Sequence, residues 1–368
     1  MLKDPVPLDQ VRRVLVIKLR HHGDVLLTSP VMSVLKQAAP HLEIDALVYA
    51  DTAEMLTLHP ALSQVHVVDR KWKKLGAFGQ ARAEWHLLRT LKARRYDLVI
   101  HLTEHWRGAW LSRLLRARWS VAFTKRGGGN RWKKCFTHLT PWPRAGGRHT
   151  VESHLDVLRR IGLQPHPTAR QLQMVPGSAA YARVSGMLTL AGVSPQRFVH
   201  IHPASRWLFK CWRVEAWAEL INRLQDADWT VVLTAAPDPV ERAMLADIKR
   251  LLHREVVDFG GRFSLKELSA LTAAARLFVG VDSAPMHIAA AVGTPAIALF
   301  GPSGDNLWGP WGTPRQGRHR VITSAKERFG CRPCGIDGCG AGKISDCLVA
   351  VETDTVWQAV AAELGIAC

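Results

Sequence analysis

Long apolar runs are missing from this sequence. The most apolar stretch, Ile288 to Phe300, is broken by Gly293, Thr294 and Pro295, well short of the roughly 18–20 residues that span a bilayer. No apolar segment follows the charge in Met1-Leu2-Lys3-Asp4-Pro5, so no export signal is read there. Cysteines number seven, sparse and odd, which excludes a small disulfide scaffold and leads us to expect a reducing, cytoplasmic setting. Any membrane contact is then expected to be peripheral. Familiar nucleotide loops are missing too. No G-x-G-x-x-G follows the first strand, which disfavours an NAD-binding fold. Gly340-Ala341-Gly342-Lys343-Ile344-Ser345 lacks the spaced first glycine of a P-loop and puts Ile344 where a hydroxyl would bind magnesium. Acidic residues are scarce: 31 Asp and Glu stand against 49 Lys and Arg, for a net charge of +18.

What is present is a chain of 368 residues, 47% apolar, enough for a packed core and, at roughly 100–200 residues per domain, for two domains. That composition excludes disorder and collagen. A protein this basic should meet something anionic: nucleic acid, a phosphorylated small molecule or a membrane surface. The charge is concentrated. Between Arg70 and Thr150 there are 20 Lys or Arg and three acids (Glu84, Asp97, Glu104), a net of +17, together with seven of the 14 tryptophans. Basic residues interleaved with Trp suit an anionic interface or a nucleic acid; a solvated basic face over core tryptophans is the plainer alternative.

Apolar runs alternate with helical patterns. Strands are expected at 13–19, 44–49, 65–68 and 96–102. Helices are expected from Asp24 to Ala39, over 82–95, and over 106–119, where Trp106, Trp110, Leu111, Leu114 and Leu115 share a face. A Pro- and Gly-containing linker at about 164–196 holds a short helix at 179–190. The alternation then resumes, with strands at 198–202, 229–234, 256–258, 277–281 and 296–300 and helices at 214–225, 239–252, 264–274 and 283–292. The expectation is an α/β protein of two facing doubly wound, Rossmann-like domains, residues 1–175 and 176–368, with ligands in a cleft at the strands' carboxyl ends.

Three loops carry chemistry. Asp282-Ser283-Ala284-Pro285-Met286-His287 lies between a buried strand and a helix. Ser283 suits an N-cap, Pro285 a first turn, and the free N–H groups suit a diphosphate. Asp282 would repel phosphate but would accept hydrogen bonds from sugar hydroxyls; it is also an ordinary capping residue. His202-Pro203-Ala204-Ser205-Arg206, running on to Lys210, offers two cations and a hydroxyl, again suited to a diphosphate or simply to an exposed loop. In Lys18 to Asp24, an Asp after a Gly turn is placed as a general base toward an acceptor hydroxyl. No second carboxylate is paired with it, which argues against a hydrolase and allows a transferase whose leaving group needs no proton. His21 and His22 either bind acceptor phosphates or fill the loop.

At this point a resemblance carries the reading further. Val16-Ile17-Lys18-Leu19-Arg20-His21-His22-Gly23-Asp24-Val25-Leu26-Leu27-Thr28-Ser29-Pro30 resembles the N-terminal signature of the ADP-heptose:lipopolysaccharide heptosyltransferases, glycosyltransferase family 9, and its Arg-His-His-Gly-Asp form resembles the type III enzymes. Val279 to His287 resembles the family's donor-site motif, and Phe300-Gly301-Pro302-Ser303 its next loop. The resemblance implies a GT-B fold and an inverting, metal-independent transfer of L-glycero-D-manno-heptose from ADP-heptose to an inner-core heptose of lipopolysaccharide. It implies Asp24 as catalytic base. Ser205, Arg206, Lys210, Glu241, Asp282, Ser283, Ala284, Met286 and His287 are implied on the donor, and Lys18, Arg20, His21, His22 and Gly23 toward the acceptor. Trp207-Leu208-Phe209 departs from the family pattern before Lys210. The first domain is then the acceptor domain, and its basic block a surface for the cytoplasmic leaflet of the inner membrane. No cofactor and no nucleic-acid partner are expected. Cys331-Arg332-Pro333-Cys334 with Cys339 and Cys347 offers a structural zinc set, though not at the spacing of a standard ribbon. Two alternatives stay open: the same fold with another nucleotide sugar or core acceptor, and a non-enzymatic nucleic-acid-binding protein.

Overall fold

The computed structural model describes residues 4–142, 147–312, 319–325 and 327–367. The chain separates into two compact units, Met1–Met174 and Val175–Cys368. In the first, the order is β1 (Arg13–Ile17), α1 (His22–Leu26), α2 (Ser29–Ala38), β2 (Glu43–Tyr49), β3 (Gln64–Val68), α3 (Gly76–Ala93), β4 (Leu98–His101), α4 (Trp106–Leu115), β5 (Trp119–Phe123), α5 (Gly129–Lys133), β6 (His138–Thr140) and α6 (Thr150–Arg160). The six strands are all parallel, in the order β3-β2-β1-β4-β5-β6. β1 and β4 are buried almost throughout, because helices cover both faces of a parallel sheet.

The second unit repeats the plan. It runs α7 (Ser178–Leu190), β7 (Phe198–His202), α8 (Val214–Asp226), β8 (Thr230–Leu233), α9 (Pro239–Arg250), β9 (Val257–Asp258), α10 (Leu265–Ala274), β10 (Leu277–Val281), α11 (Ala284–Val292), β11 (Ala296–Leu299), α12 (Asp305–Trp308), β12 (Arg320–Ile322), α13 (Asp346–Val349) and α14 (Thr353–Leu364). Its sheet is ordered β12-β11-β10-β7-β8-β9. The strand order of each sheet reverses between two neighbouring strands, β1 and β4 in one unit and β7 and β10 in the other. Loops leaving those carboxyl ends are where such sheets bind ligands. In the second unit Gly280 lies opposite His202. A Cβ on Gly280 would stand 2.9 Å from the His202 carbonyl oxygen, so glycine permits the strands to approach here. The two loops that follow, after His202 and after Val281, therefore emerge side by side.

Each unit adopts the expected α/β, doubly wound architecture, with local differences. β1 ends at Ile17 instead of Leu19. The helix expected from Asp24 to Ala39 is two helices, because Pro30 has no N–H and starts a new first turn at α2. The helix expected over 106–119 stops at Leu115, where Arg116 turns left-handed (φ 54°), and the next residues form β5. Strands β5, β6 and β12 and helices α5, α6, α12, α13 and α14 were not anticipated. Among the described residues no helix is long and apolar enough to cross a membrane.

Candidate active site

In the first unit the loop after β1 carries Asp24 into the first turn of α1, with His21 at the N-cap. The Asp24 side chain is 14% exposed and lies 3.8 Å from Lys18 Nζ and 4.0 Å from Arg20 Nε. Two cations thus stand beside it. Lys18 is buried. Its ammonium donates to the Leu102 carbonyl at 3.0 Å and to His154 Nε2 at 2.9 Å. His154 Nδ1 then donates to the Leu27 carbonyl at 3.1 Å, which fixes the tautomer. Burial pulls the Lys18 ammonium down to about 8, against the pull of Asp24 in the other direction. Burial, with Lys18 beside it, holds His154 well below the ordinary histidine range.

The Lys18 side chain, expected toward an acceptor, points into the protein, where its ammonium holds two protein acceptors and stands beside Asp24. His154, 136 residues away, was missed; a buried His on α6 gives no local sequence signal. Arg20 is half-exposed. His22 Nε2 bonds the Asp51 carbonyl at 2.9 Å, so the histidine ties its loop to the segment after β2. Gly23 lies in the turn of α1 itself. Arg70, also unanticipated, donates to the Arg20 carbonyl at 3.1 Å and to Asp51 at 3.2 Å. The loop bearing Asp24 is braced from two sides.

In the second unit the switch point brings two separately expected residues together. Lys210, on a short 3₁₀ turn (Leu208–Lys210), donates to Asp282 Oδ2 at 2.6 Å. The Lys210 side chain is 22% exposed and that of Asp282 8%. A charge-assisted bond this short holds both groups at one point. The apolar residues before Lys210 account for its placement: Phe209 is buried and anchors the turn, while Trp207 is exposed with the Arg206 guanidinium 5.4 Å from its ring. The Ser205 hydroxyl accepts from the Trp207 N–H at 3.3 Å.

Ser283 occupies the N-cap position of α11, but its hydroxyl donates to the Val281 carbonyl (3.3 Å) and caps nothing. Ala284 and Pro285 make the first turn. Met286 requires a correction: its side chain is fully buried among Phe278, Ala289, Ala296, Ala298 and Phe300 and belongs to the core. His287 is buried as well. Glu241 is buried and turned back on its own loop, where it accepts from the Ala236 N–H at 2.9 Å. Burial pushes its carboxyl above the usual range.

Behind the switch point runs a relay that the sequence reading did not foresee. The Thr272 hydroxyl donates to the Leu268 carbonyl (2.7 Å) and therefore accepts from His200 Nδ1 (3.1 Å). His200 Nε2 then accepts from the Thr234 hydroxyl (2.7 Å), which in turn accepts from His202 Nδ1 (2.8 Å). Every proton is assigned. His202 Nε2 is left as an acceptor, 3.8 Å from Glu241. Burial pushes His202 down to about 4.

The cysteines of the expected zinc set differ in burial. Cys347 is buried, Cys334 and Cys339 are half-buried, Cys331 is exposed, and all four are free thiols. Among the described residues no group of three or more His, Cys, Asp or Glu is gathered as metal ligands. Burial pushes the Cys347 thiol up to about 11, with Cys339, Cys334 and Cys331 adding in the same direction.

Comparison with known proteins gives this arrangement a family. The family described as Glycosyltransferase family 9 (heptosyltransferase) matches residues 84–332, which include Lys210 and Asp282 and begin after Asp24. The chain is 39% identical over 296 residues to lipopolysaccharide heptosyltransferase 3 of Escherichia coli, covering 80% of this chain and 84% of that one. The glycosyl transferase family 9 structure from Veillonella parvula superposes with a TM-score of 0.83 at 22% identity, over 99% of both chains. The E. coli heptosyltransferase WaaC with ADP does so with a TM-score of 0.72 at 23% identity, over 95% of this chain and 99% of that one. The alternative of a non-enzymatic nucleic-acid-binding protein falls with these matches. The chain belongs to glycosyltransferase family 9, the heptosyltransferases.

Proposed function

We propose that this enzyme transfers L-glycero-D-manno-heptose from ADP-heptose to an inner-core heptose of lipopolysaccharide, in the manner of a type III heptosyltransferase. The identity to E. coli lipopolysaccharide heptosyltransferase 3 over 84% of that protein carries the reading. Residues 1–175 serve the acceptor and residues 176–368 the donor. The transfer is a single displacement with inversion. The acceptor oxygen bonds to the anomeric carbon as the bond to ADP breaks, and its proton passes to the Asp24 carboxylate. Asp24 lies beside two cations, and no second carboxylate is paired with it in the sequence, which fits a base acting without an acid partner. ADP leaves as an anion and needs no proton.

Lys210 stabilises the charge that develops on the departing diphosphate, with backbone N–H groups at the start of α11 beside it. Asp282, paired with Lys210, accepts from the sugar hydroxyls. Ser205, Arg206, Ser283, Ala284 and His287 flank the donor, and Arg20, His21 and His22 the acceptor. Lys18 and His154 position Asp24. No metal enters these steps, so transfer should survive chelation. The acceptor is membrane-borne, and the protein works at the cytoplasmic face of the inner membrane as a peripheral enzyme. Mass spectrometry of core oligosaccharide from a strain lacking the gene tests the assignment. Loss of one side-branch heptose is expected; an unchanged core would overturn it.

A further inference from the structure

Trp72 belongs to a 3₁₀ turn, Arg70–Lys74, that leads into α3. Between this turn, edge strand β3 and α3 lies a groove of about 750 Å³. Val65, Trp72, Leu75 and Leu87 give it apolar walls, and Arg82 and His86 stand along it. Large apolar side chains beside it face outward: Phe78 is 95% exposed, Trp85 61% and Leu75 56%. Phe78, Arg82, Trp85, Arg89 and Lys92 follow one another at steps of four and three residues, so they form one stripe along the helix. The helix is fixed in place. Just past its end, Arg94 donates to buried Asp45 at 2.8 Å and to Glu43 at 3.0 Å.

The charge on this face is mainly positive, the acid at the turn's N-cap, Asp69, being held by the Lys71 N–H at 2.7 Å. Lys71, Lys73, Lys74, Arg82, Arg89 and Lys92 are exposed, and none is ion-paired among the described residues. The one acid between Arg70 and Arg95, Glu84, is occupied by Arg107 at 2.7 Å. By contrast, on α4 Arg107 is spent on Glu84 and Arg113 on the Lys134 carbonyl. A second copy of the chain would meet its own positive charge here. An anionic amphiphile meets both features: headgroups the cations, and apolar chains the aromatic stripe and the groove.

We infer that the 3₁₀ turn and the outer face of α3 are the membrane-docking element, seating Phe78 and Trp85 in an anionic phospholipid surface with the groove taking an acyl chain. This rests on the reading that the enzyme acts at a membrane. The full-length protein is to be co-sedimented with vesicles of phosphatidylcholine alone and of phosphatidylcholine with about one-third phosphatidylglycerol. Wild type should bind only the anionic vesicles. F78S/W85S should weaken that binding by at least about tenfold, and K73E/K74E by about 25-fold or more, at roughly fivefold per cation. Both variants should keep the wild-type melting temperature and transfer to a soluble, delipidated core acceptor. Variants that sediment like wild type would overturn this inference and leave the membrane reading intact. Wild type that ignores anionic vesicles would overturn both, with transfer to the soluble acceptor testing the activity separately. Displacement of wild type from vesicles by a stoichiometric single-stranded oligonucleotide would also overturn the inference, since it would make the face a nucleic-acid surface.

Discussion

Replacing Lys18 with Met separates stability from activity. The ammonium is buried and its pKa is about 8 against an ordinary 10.5, so keeping it charged in the folded state costs about 3 kcal/mol relative to the unfolded chain. Met of similar length removes that cost. It also leaves the Leu102 carbonyl and His154 Nε2 without their donor, at about 1–3 kcal/mol each. These effects oppose each other, and the net change in stability should stay within about 2 kcal/mol. Activity has no such offset. Lys18 lies 3.8 Å from Asp24, a separation at which unit charges interact by about 4 kcal/mol at an effective dielectric of 20. Losing that restraint lets the base drift, and a displacement of about 1 Å can cost about 10²-fold in turnover. The same pairing sets a pH window. Between about 8 and 10.5 the unfolded chain keeps a proton on Lys18 that the folded chain has released, so Lys18 makes stability rise with pH there, while turnover falls as the ammonium neutralises. Urea unfolding and ADP release, both followed from pH 6 to 10, give the test. Wild-type turnover in Lys18→Met, with an unchanged alkaline limb, would refute the positioning role.

Other consequences follow from single contacts. Lys210→Ala should weaken ADP binding by about 1.5–3 kcal/mol in calorimetry, and unchanged affinity would remove Lys210 from the donor site. Thr234→Val takes the shared hydroxyl from His200 and His202, which bond it at 2.7 and 2.8 Å; urea unfolding should show a loss of about 2–4 kcal/mol, and a loss under about 0.5 kcal/mol would contradict the relay. Gly108→Ala would drive a methyl into the His101 ring, which is stacked 5.5 Å from Phe136, and should lower the melting temperature by an amount equivalent to about 1–3 kcal/mol. Retained stability there would mean that the ring has room to move.

The second unit was the more legible in sequence. Leu277–Val281 and Phe198–His202 are short β-rich runs bounded by turn residues, and they form strands over those same residues. The loops after them could each be read as a ligand loop, but not as neighbours. Only the parallel pairing of β7 with β10 brings Lys210 to Asp282 across 72 residues. The first unit hid more. In its basic stretch, helical spacing runs from Trp106 past Leu115 toward Trp119, and nothing local marks the left-handed turn at Arg116, where no glycine stands. Lys18 and Glu241 look like surface groups by type. Their burial is set by partners, His154 for one and the Ala236 N–H for the other, that only the folded chain supplies. Asp24 was legible because Gly23 and the following apolar run mark a helix start at the end of a strand.

Transfer itself is the most direct test of the central claim. Purified protein, ADP-heptose and a defined inner-core acceptor are to be incubated and the products read by mass spectrometry, with Asp24→Asn alongside. The account predicts an acceptor heavier by one heptose and one ADP released per transfer, with turnover in Asp24→Asn lower by about 10²–10⁴-fold and ADP affinity nearly unchanged. Heptose transfer at the wild-type rate in Asp24→Asn, or no transfer by the wild-type enzyme to any inner-core heptose, would contradict it.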